Sequence, residues 1–391
     1  MAEVFLRHGA AYLSAHRLAT VHYRAMRAIE ACRTEALGGH VERCEACGLL
    51  RYHYHSCRNR HCPKCQSLAK ERWLAARRAE LLPVPYFHLV FTLPHALNAL
   101  AQGNPRALYA LLFASVSDTL IEFGANPRWL GGQIAATLVL HTWGQTLTQH
   151  LHLHCLVAAG ALGADAQWIR PRRGFLFPVK ALSPVFRGKF LTGLKRAFDA
   201  GRLRLEGSTL ALSEPAPRSA FFAQLYAQPW VVYAKQPFGG PQQVLDYLGR
   251  YTHRIALSNN RLVSVSNTEV RFRYKDYAHG NARKVLALPP AEFIRRFLSH
   301  VLPSGFMRIR HYGLIANRAK RTKLAAARAA LDYQPAAQPQ QPESLEGFWL
   351  RVANLDIHQC PHCRGGRMRV IGPIIPPSAR APPLPRSRCA S

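Results

Sequence analysis

Acidic side chains are scarce in this chain: 21 Asp and Glu stand against 52 Lys and Arg, giving a formal charge of +31 and a pI of about 10.6. No carboxylate cluster stands out, which disfavours a nuclease or transposase built on three carboxylates and two metal ions. The surplus of positive charge runs through most of the sequence, so the surface field attracts a polyanion, with nucleic acid as the leading partner. Long apolar runs are also missing. The N-terminal MAEVFLRHGAAYLSAH has no uninterrupted hydrophobic segment of the signal-peptide kind. No window reads as the roughly 20 apolar residues of a spanning helix, and a cytosolic protein without a membrane partner is expected. A GxxxxGK[ST] phosphate loop is absent as well, so any unwinding of duplex DNA has to come from another protein.

What remains is a folding composition: 391 residues, 48% hydrophobic and 10% aromatic, enough for a catalytic core and one or two small modules. Ten cysteines in a reducing compartment read as metal ligands rather than disulfides, and six of them fall between positions 32 and 65. Two CxxC knuckles, Cys44 with Cys47 and Cys62 with Cys65, are separated by fourteen residues. Facing each other, they complete the tetrahedral thiolate shell that Zn²⁺ prefers. Cys32 and Cys57, with His40, His53, His55 and His61, are left over for a second zinc site that spacing alone does not assign. Arg58 and Arg60, with Arg51, Lys64, Tyr52 and Tyr54, lie among the knuckles and suit backbone contact and base stacking on DNA.

Downstream, YFHLVFTLP from Tyr86 predicts a strand, the apolar stretch 105–123 a helix, and QIAATLVLHTWG and HLHLHCLVAAG two strands joined as an antiparallel hairpin. On an extended strand His150, His152 and His154 project to one side, a natural site for a divalent ion, although a half-exposed strand rich in histidine has the same pattern. The run 243–252 predicts a helix on which Tyr247 and Tyr251 share one face, a spacing that ordinary core packing also produces. IAL and RLVSVS then read as strands about a Ser-Asn-Asn turn. FRYKDYAHGNARK and MRIRHYGLIANRAKRTK interleave cations with aromatics, as a single-strand groove does. Past Asp332 a Pro/Gln-rich linker leads to a lone knuckle, Cys360 with Cys363, and the residues from Ile371 onward read as a disordered basic tail. The lone knuckle has His358, His362, Cys389 or another part of the fold to complete it.

Taken in order, LGGHVERCEACG, SCRNRHCPKCQ, HLVFTLPH, HLHLHCLV, YLGRYTHRIALSNNRL and LPSGFMRIRHYGLIANR resemble the rolling-circle transposases of the insertion-sequence family numbered ninety-one, in the two-tyrosine branch of the HUH endonucleases. The resemblance covers about residues 10 to 320. It implies an α+β fold: a palm-like antiparallel sheet with flanking helices, preceded by a small Cys-rich zinc-binding domain. It also implies a zinc domain over 1–82, a catalytic domain over 83–330 and a linker with tail over 331–391. His152 and His154 become the ligands of Mg²⁺ or Mn²⁺, and Tyr247 and Tyr251 the nucleophiles, with Arg250 and Arg254 at the phosphate. The family pattern often has His-Pro-His where this chain has His150-Leu151-His152, so the role of His150 is open: a third ligand, a substrate contact or neither. His141, Gln149 and His253 are candidates for a third ligand. The implied activity is nicking and rejoining of single-stranded DNA at element ends through a 5′-phosphotyrosine, with host helicase and replication proteins as partners and Zn²⁺ as a structural cofactor. The alternative is a non-catalytic zinc-dependent DNA-binding regulator, which has no use for aligned histidines and tyrosines.

Overall fold

The computed structural model describes residues 1–172, 174–235, 243, 245, 249, 256–277, 279–334 and 343–377. Tyr247, Arg250, Tyr251, His253 and Arg254 lie outside these residues. The chain forms two compact units, one of Met1–Gln66 with Ala336–Ser391 and the other of Ser67–Pro335. This departs from the division by sequence at both ends. Residues 67–82 belong with the larger unit because Arg77 bonds to His311 and Glu80 pairs with Lys320. Residues 343–377 belong with the N-terminal unit, for a reason that lies in its sheet.

The first unit opens with helices α1 (Ala2–Ala15) and α2 (Thr20–Ala31), which bury Val4, Phe5, Met26 and Ile29. Strand β1 (Gly39–Cys44) is central in a three-stranded antiparallel sheet, between β2 (Leu50–Tyr54) and β13 (Met368–Ile374). Ile371 to Ile374, expected to be disordered, are therefore ordered strand: Ile374 pairs with Gly39 and Gly372 with Val41. Alternation decides the two faces of β2. Arg51 and His53 turn toward the buried Glu42, while Leu50, Tyr52 and Tyr54 are exposed.

In the second unit five antiparallel strands run in the order β12-β4-β5-β3-β8, with β3 at Tyr86–Thr92, β4 at Ala135–Trp143, β5 at Gln149–Ala158, β8 at Val232–Lys235 and β12 at Ile309–Gly313. The hairpin expected from the short connection is present, joining β4 to β5. On one face Phe87, Leu89, Phe91, Leu138, Leu140, Leu151, Leu153, Cys155 and Val157 enter a core shared with α5 (Pro105–Ala125) and α6 (Val179–Asp199). These helices approach closely, since a Cβ on Gly193 would meet Leu111 Cδ1 at 2.3 Å. Contrary to the sequence reading, α5 is long and apolar enough to cross a membrane, but it is a core helix whose Leu112, Phe113, Val116 and Leu120 are buried in this unit. A second cluster on the opposite face packs Val139, Leu156 and Ala158 against Leu82 and Leu324.

A further sheet, β9 (Leu262–Val265), β10 (Val270–Asp276) and β11 (Ala282–Leu288), carries the first interleaved basic segment. Arg271, Arg273 and Lys275 point outward, whereas Phe272 is buried against Phe293 and cannot stack on a base. The expected IAL strand is not formed over the described Ala256 and Leu257, which are buried coil.

Several histidines are buried without charge. His300 Nε2 donates to the carbonyl of Leu147 at 3.0 Å, and its Nδ1 accepts from Thr142 Oγ1 at 3.2 Å. Burial lowers its pKa to about 4, and burial followed by the charges of Arg77 and Lys320 does the same for His311. In the unfolded chain such a ring takes up its proton near pH 6.5. The unfolded state thus binds more protons between about pH 6.5 and 4, and stability falls as pH drops through that window. Thermal midpoints measured from pH 7 to 4 should show this decline, with a shallower slope in His300→Gln.

Candidate metal centre and cysteine clusters

The histidine run sits at the centre of the five-stranded sheet because β5 is its middle strand. Leu151 and Leu153 anchor one face of the strand in the core, which fixes His152 and His154 on the other. The β4–β5 register sets His141 directly opposite His152. The ligand nitrogens of His141, His152 and His154 all lie within 4.8 Å of one another, and all three side chains are buried. His152 Nε2 and His154 Nε2 are 3.1 Å apart. Two ligands that meet one ion at right angles with bonds of about 2.1 Å make a spacing of about 3 Å.

In His152 and His154 a neighbour takes up the Nδ1 proton, which leaves the lone pair on Nε2. His152 Nδ1 donates to the carbonyl of His150 at 2.9 Å. Burial, with His150 adding to it, pushes the His152 pKa down to about 3, so the ring is a neutral ligand at physiological pH. His154 Nδ1 donates to His88 Nε2 at 2.8 Å, and the two rings stack with centroids 5.1 Å apart. His141 stacks on Trp143 at 4.8 Å. The three imidazoles thus fit a divalent ion, and among the described residues no other His, Cys, Asp or Glu joins this group.

Of the third-ligand candidates, His141 joins the cluster, Gln149 turns away to accept from Gln102 Nε2 at 2.7 Å, and His253 is outside the described residues. His150 is not part of the cluster; its ring lies 5.5 Å from that of His95. His88 is the residue that sequence reasoning missed. It was visible only as part of a predicted strand, and nothing local shows that β3 lies beside β5. Such outer partners typically change metal affinity by 10–100-fold. His88→Ala is therefore expected to weaken Mn²⁺ binding by about that factor in titration calorimetry, with partial recovery in His88→Gln.

The cysteines group differently from the sequence expectation. Cys44 and Cys47 do not face Cys62 and Cys65. One quartet is Cys32, Cys57, Cys62 and Cys65, and the other is Cys44, Cys47, Cys360 and Cys363. In the first, Cys65 Sγ lies 3.2 Å from Cys32 Sγ and 3.6 Å from Cys57 Sγ. The two cysteines set aside for a second zinc therefore complete the first shell. His40, Glu42 and His53 also converge, but Glu42 already pairs with Arg51 at 2.6 Å. Arg58 is exposed, while Arg60 is half-buried. Arg310, in the second interleaved segment, covers Phe113 with its guanidinium 4.3 Å from the ring centre, so it serves packing. Of the helical positions described in 243–249, Gln243 is exposed, Leu245 is buried and borders a cavity with Thr137 and Leu156, and Gly249 is buried against Leu74.

Two family models match the chain. The one described as "Transposase zinc-binding domain" covers residues 4–93, and the one described as "Putative transposase" covers 135–323. Cys360 and Cys363 lie outside both. The "Putative transposase y4qJ" of Sinorhizobium fredii is 49% identical over 375 residues, 95% of this chain and 94% of the relative. The "Transposase for insertion sequence element IS801" of Pseudomonas savastanoi pv. phaseolicola is 29% identical over 301 residues, 74% of this chain and 68% of the relative. Among solved structures, the conjugative relaxase TrwC with oriT DNA, metal-free, matches over 63% of this chain and 72% of that chain at 16% identity, with a TM-score of 0.23 that is too low to align the chains residue by residue. The α+β fold, the cysteine-rich N-terminal unit and near-full-length similarity to a transposase agree with the family read from the motifs, and the chain belongs to the zinc-binding transposases of the IS91 and IS801 insertion sequences.

Proposed function

We propose that this transposase nicks and rejoins single-stranded DNA at the ends of its insertion element by rolling-circle transposition, through a 5′-phosphotyrosine. The observation that supports this most is the buried trio His141, His152 and His154, whose ligand nitrogens all lie within 4.8 Å of one another. These residues would hold Mn²⁺ or Mg²⁺. Imidazoles without a carboxylate favour the former, because Mg²⁺ prefers oxygen ligands. When bound, the ion draws charge from a non-bridging oxygen of the scissile phosphate and polarises phosphorus.

Tyr247 and Tyr251 supply the nucleophiles. The phenol gives up its proton as its oxygen bonds to phosphorus, the bond from phosphorus to the 3′ oxygen breaks, and the departing oxygen takes up a proton. The resulting phosphotyrosine is close in energy to the phosphodiester it replaces, so the 3′-hydroxyl can reverse the attack without ATP. A phenol with a pKa near 10 is a weak nucleophile at neutral pH, and cationic side chains that stabilise developing charge make up part of the difference. Arg250 and Arg254 are assigned there. Arg58 and Arg60, together with the exposed Tyr52 and Tyr54 on β2, are assigned to holding the strand, and so are Arg271, Arg273 and Lys275 on β10. A host helicase supplies single strands.

The test is covalent trapping. A single-stranded oligonucleotide bearing the element end, incubated with the protein and Mn²⁺ and then denatured, should remain attached, with the adduct mapping to Tyr247 or Tyr251. An adduct-free reaction in which DNA is still bound points to a zinc-dependent regulator instead.

A further inference from the structure

The quartet Cys44, Cys47, Cys360 and Cys363 draws on two places in the chain, with Cys47 and Cys360 separated by 313 positions. We propose that these four thiolates bind one zinc ion, additional to the ion of Cys32, Cys57, Cys62 and Cys65, and that this ion fastens the C-terminal segment into the N-terminal unit.

The spacing of the sulfurs carries the argument. Cys44 Sγ to Cys363 Sγ and Cys47 Sγ to Cys360 Sγ are each 3.7 Å. A tetrahedral ion with thiolate bonds of about 2.3 Å sets its ligands about 3.8 Å apart. A disulfide needs about 2.05 Å, so neither pair is bonded. Both knuckles have the same local form. The Gly48 amide donates to the Cys44 carbonyl and the Arg364 amide to the Cys360 carbonyl, each at 3.1 Å. Each turn is completed by a residue of positive φ, Gly48 at 73° and Arg364 at 56°.

The two knuckles also fit one another. A Cβ on Gly366 would come within 2.5 Å of Cys44 Sγ and 2.7 Å of Ala46 Cβ, so only glycine lets them close. The backbone is already joined: β13 pairs with β1 from Gly39↔Ile374 to Cys44↔Met368, and the Glu45 amide donates to the Arg367 carbonyl at 3.0 Å. Among the described residues little apolar surface supports this end of the sheet. The buried cluster consists of Cys44, Cys360 and Met368, with Leu49 packed against it. A core that small leaves the closure to the metal.

Zinc content of the full-length chain provides the test. Changing Cys360→Ser together with Cys363→Ser should remove one zinc equivalent per chain, and Cys62→Ser with Cys65→Ser a different one, so that the losses add. An unchanged zinc content in the first variant would overturn the assignment. Should that variant fail to fold, the unaltered protein decides. Cys47 and Cys363 are exposed, so burial cannot shield them. In the zinc-loaded chain both should resist iodoacetamide and become reactive once EDTA removes the metal. Prompt alkylation of either while the zinc content stays constant contradicts the site.

Discussion

Changing Tyr247→Phe together with Tyr251→Phe is expected to slow cleavage of a single-stranded oligonucleotide by at least about 10⁴-fold and to leave its binding unchanged. Phenylalanine keeps the ring and removes only the oxygen that bonds to phosphorus. Binding comes from a different source, the phosphate contacts of a chain with a formal charge of +31, and survives the change. Cleavage rates and fluorescence anisotropy on the same oligonucleotide separate the two quantities. Cleavage that persists in the double variant would place the nucleophile elsewhere and remove the basis of the proposed reaction. The single variants add a second reading. Residues four apart on a helix share a face, so if each tyrosine handles one strand end, either single change should permit nicking and block completed strand transfer.

The second large effect concerns His141. Alanine at this position is expected to reduce Mn²⁺-dependent cleavage by more than about 100-fold, beyond the range usual for outer partners such as His88. His141→Ala should match His152→Ala, because the two face each other across the β4–β5 ladder and their nitrogens belong to one cluster. His150→Ala should stay within about threefold, since its ring lies outside that cluster beside His95. Titrating Mn²⁺ into each variant while following cleavage tests the set. Equal losses from His150→Ala and His141→Ala would show that proximity on the strand, rather than convergence of nitrogens, decides the ligands.

Much of this site could be read from local pattern. Alternation along 150–158 is enough to separate Leu151 and Leu153 from His152 and His154, because a strand has only two faces. The short connection between β4 and β5 led to a hairpin, and the hairpin brings in His141. His88 was not legible. Its strand was recognised, but the neighbour of β3 is β5 rather than the adjacent β4, and that order depends on the whole sheet. The cysteine pairing failed for a related reason. Spacing favoured joining the two nearest knuckles, whereas each quartet is assembled by backbone pairing and loop closure that sequence distance does not report. Hydrophobicity alone does not decide the surroundings of α5, since a helix apolar on every side reads alike whether lipid or protein encloses it. Phe272 and Arg310 looked like DNA-contacting residues because composition does not say which way a side chain points.

The return of β13 to β1 also puts the assembly of the protein on a clock. A ribosome that has completed the first knuckle must add the 313 residues between Cys47 and Cys360 before the partner cysteines emerge. At about 5–20 residues per second, that takes roughly 15 to 60 seconds. Throughout that interval β1 has β2 on one edge and an open edge on the other, and Cys44 and Cys47 form half of a coordination shell. The cysteine-rich unit is thus begun well before it can close, and a message broken anywhere ahead of the codons for Met368–Ile374 yields a chain whose first strand lacks β13 as a partner.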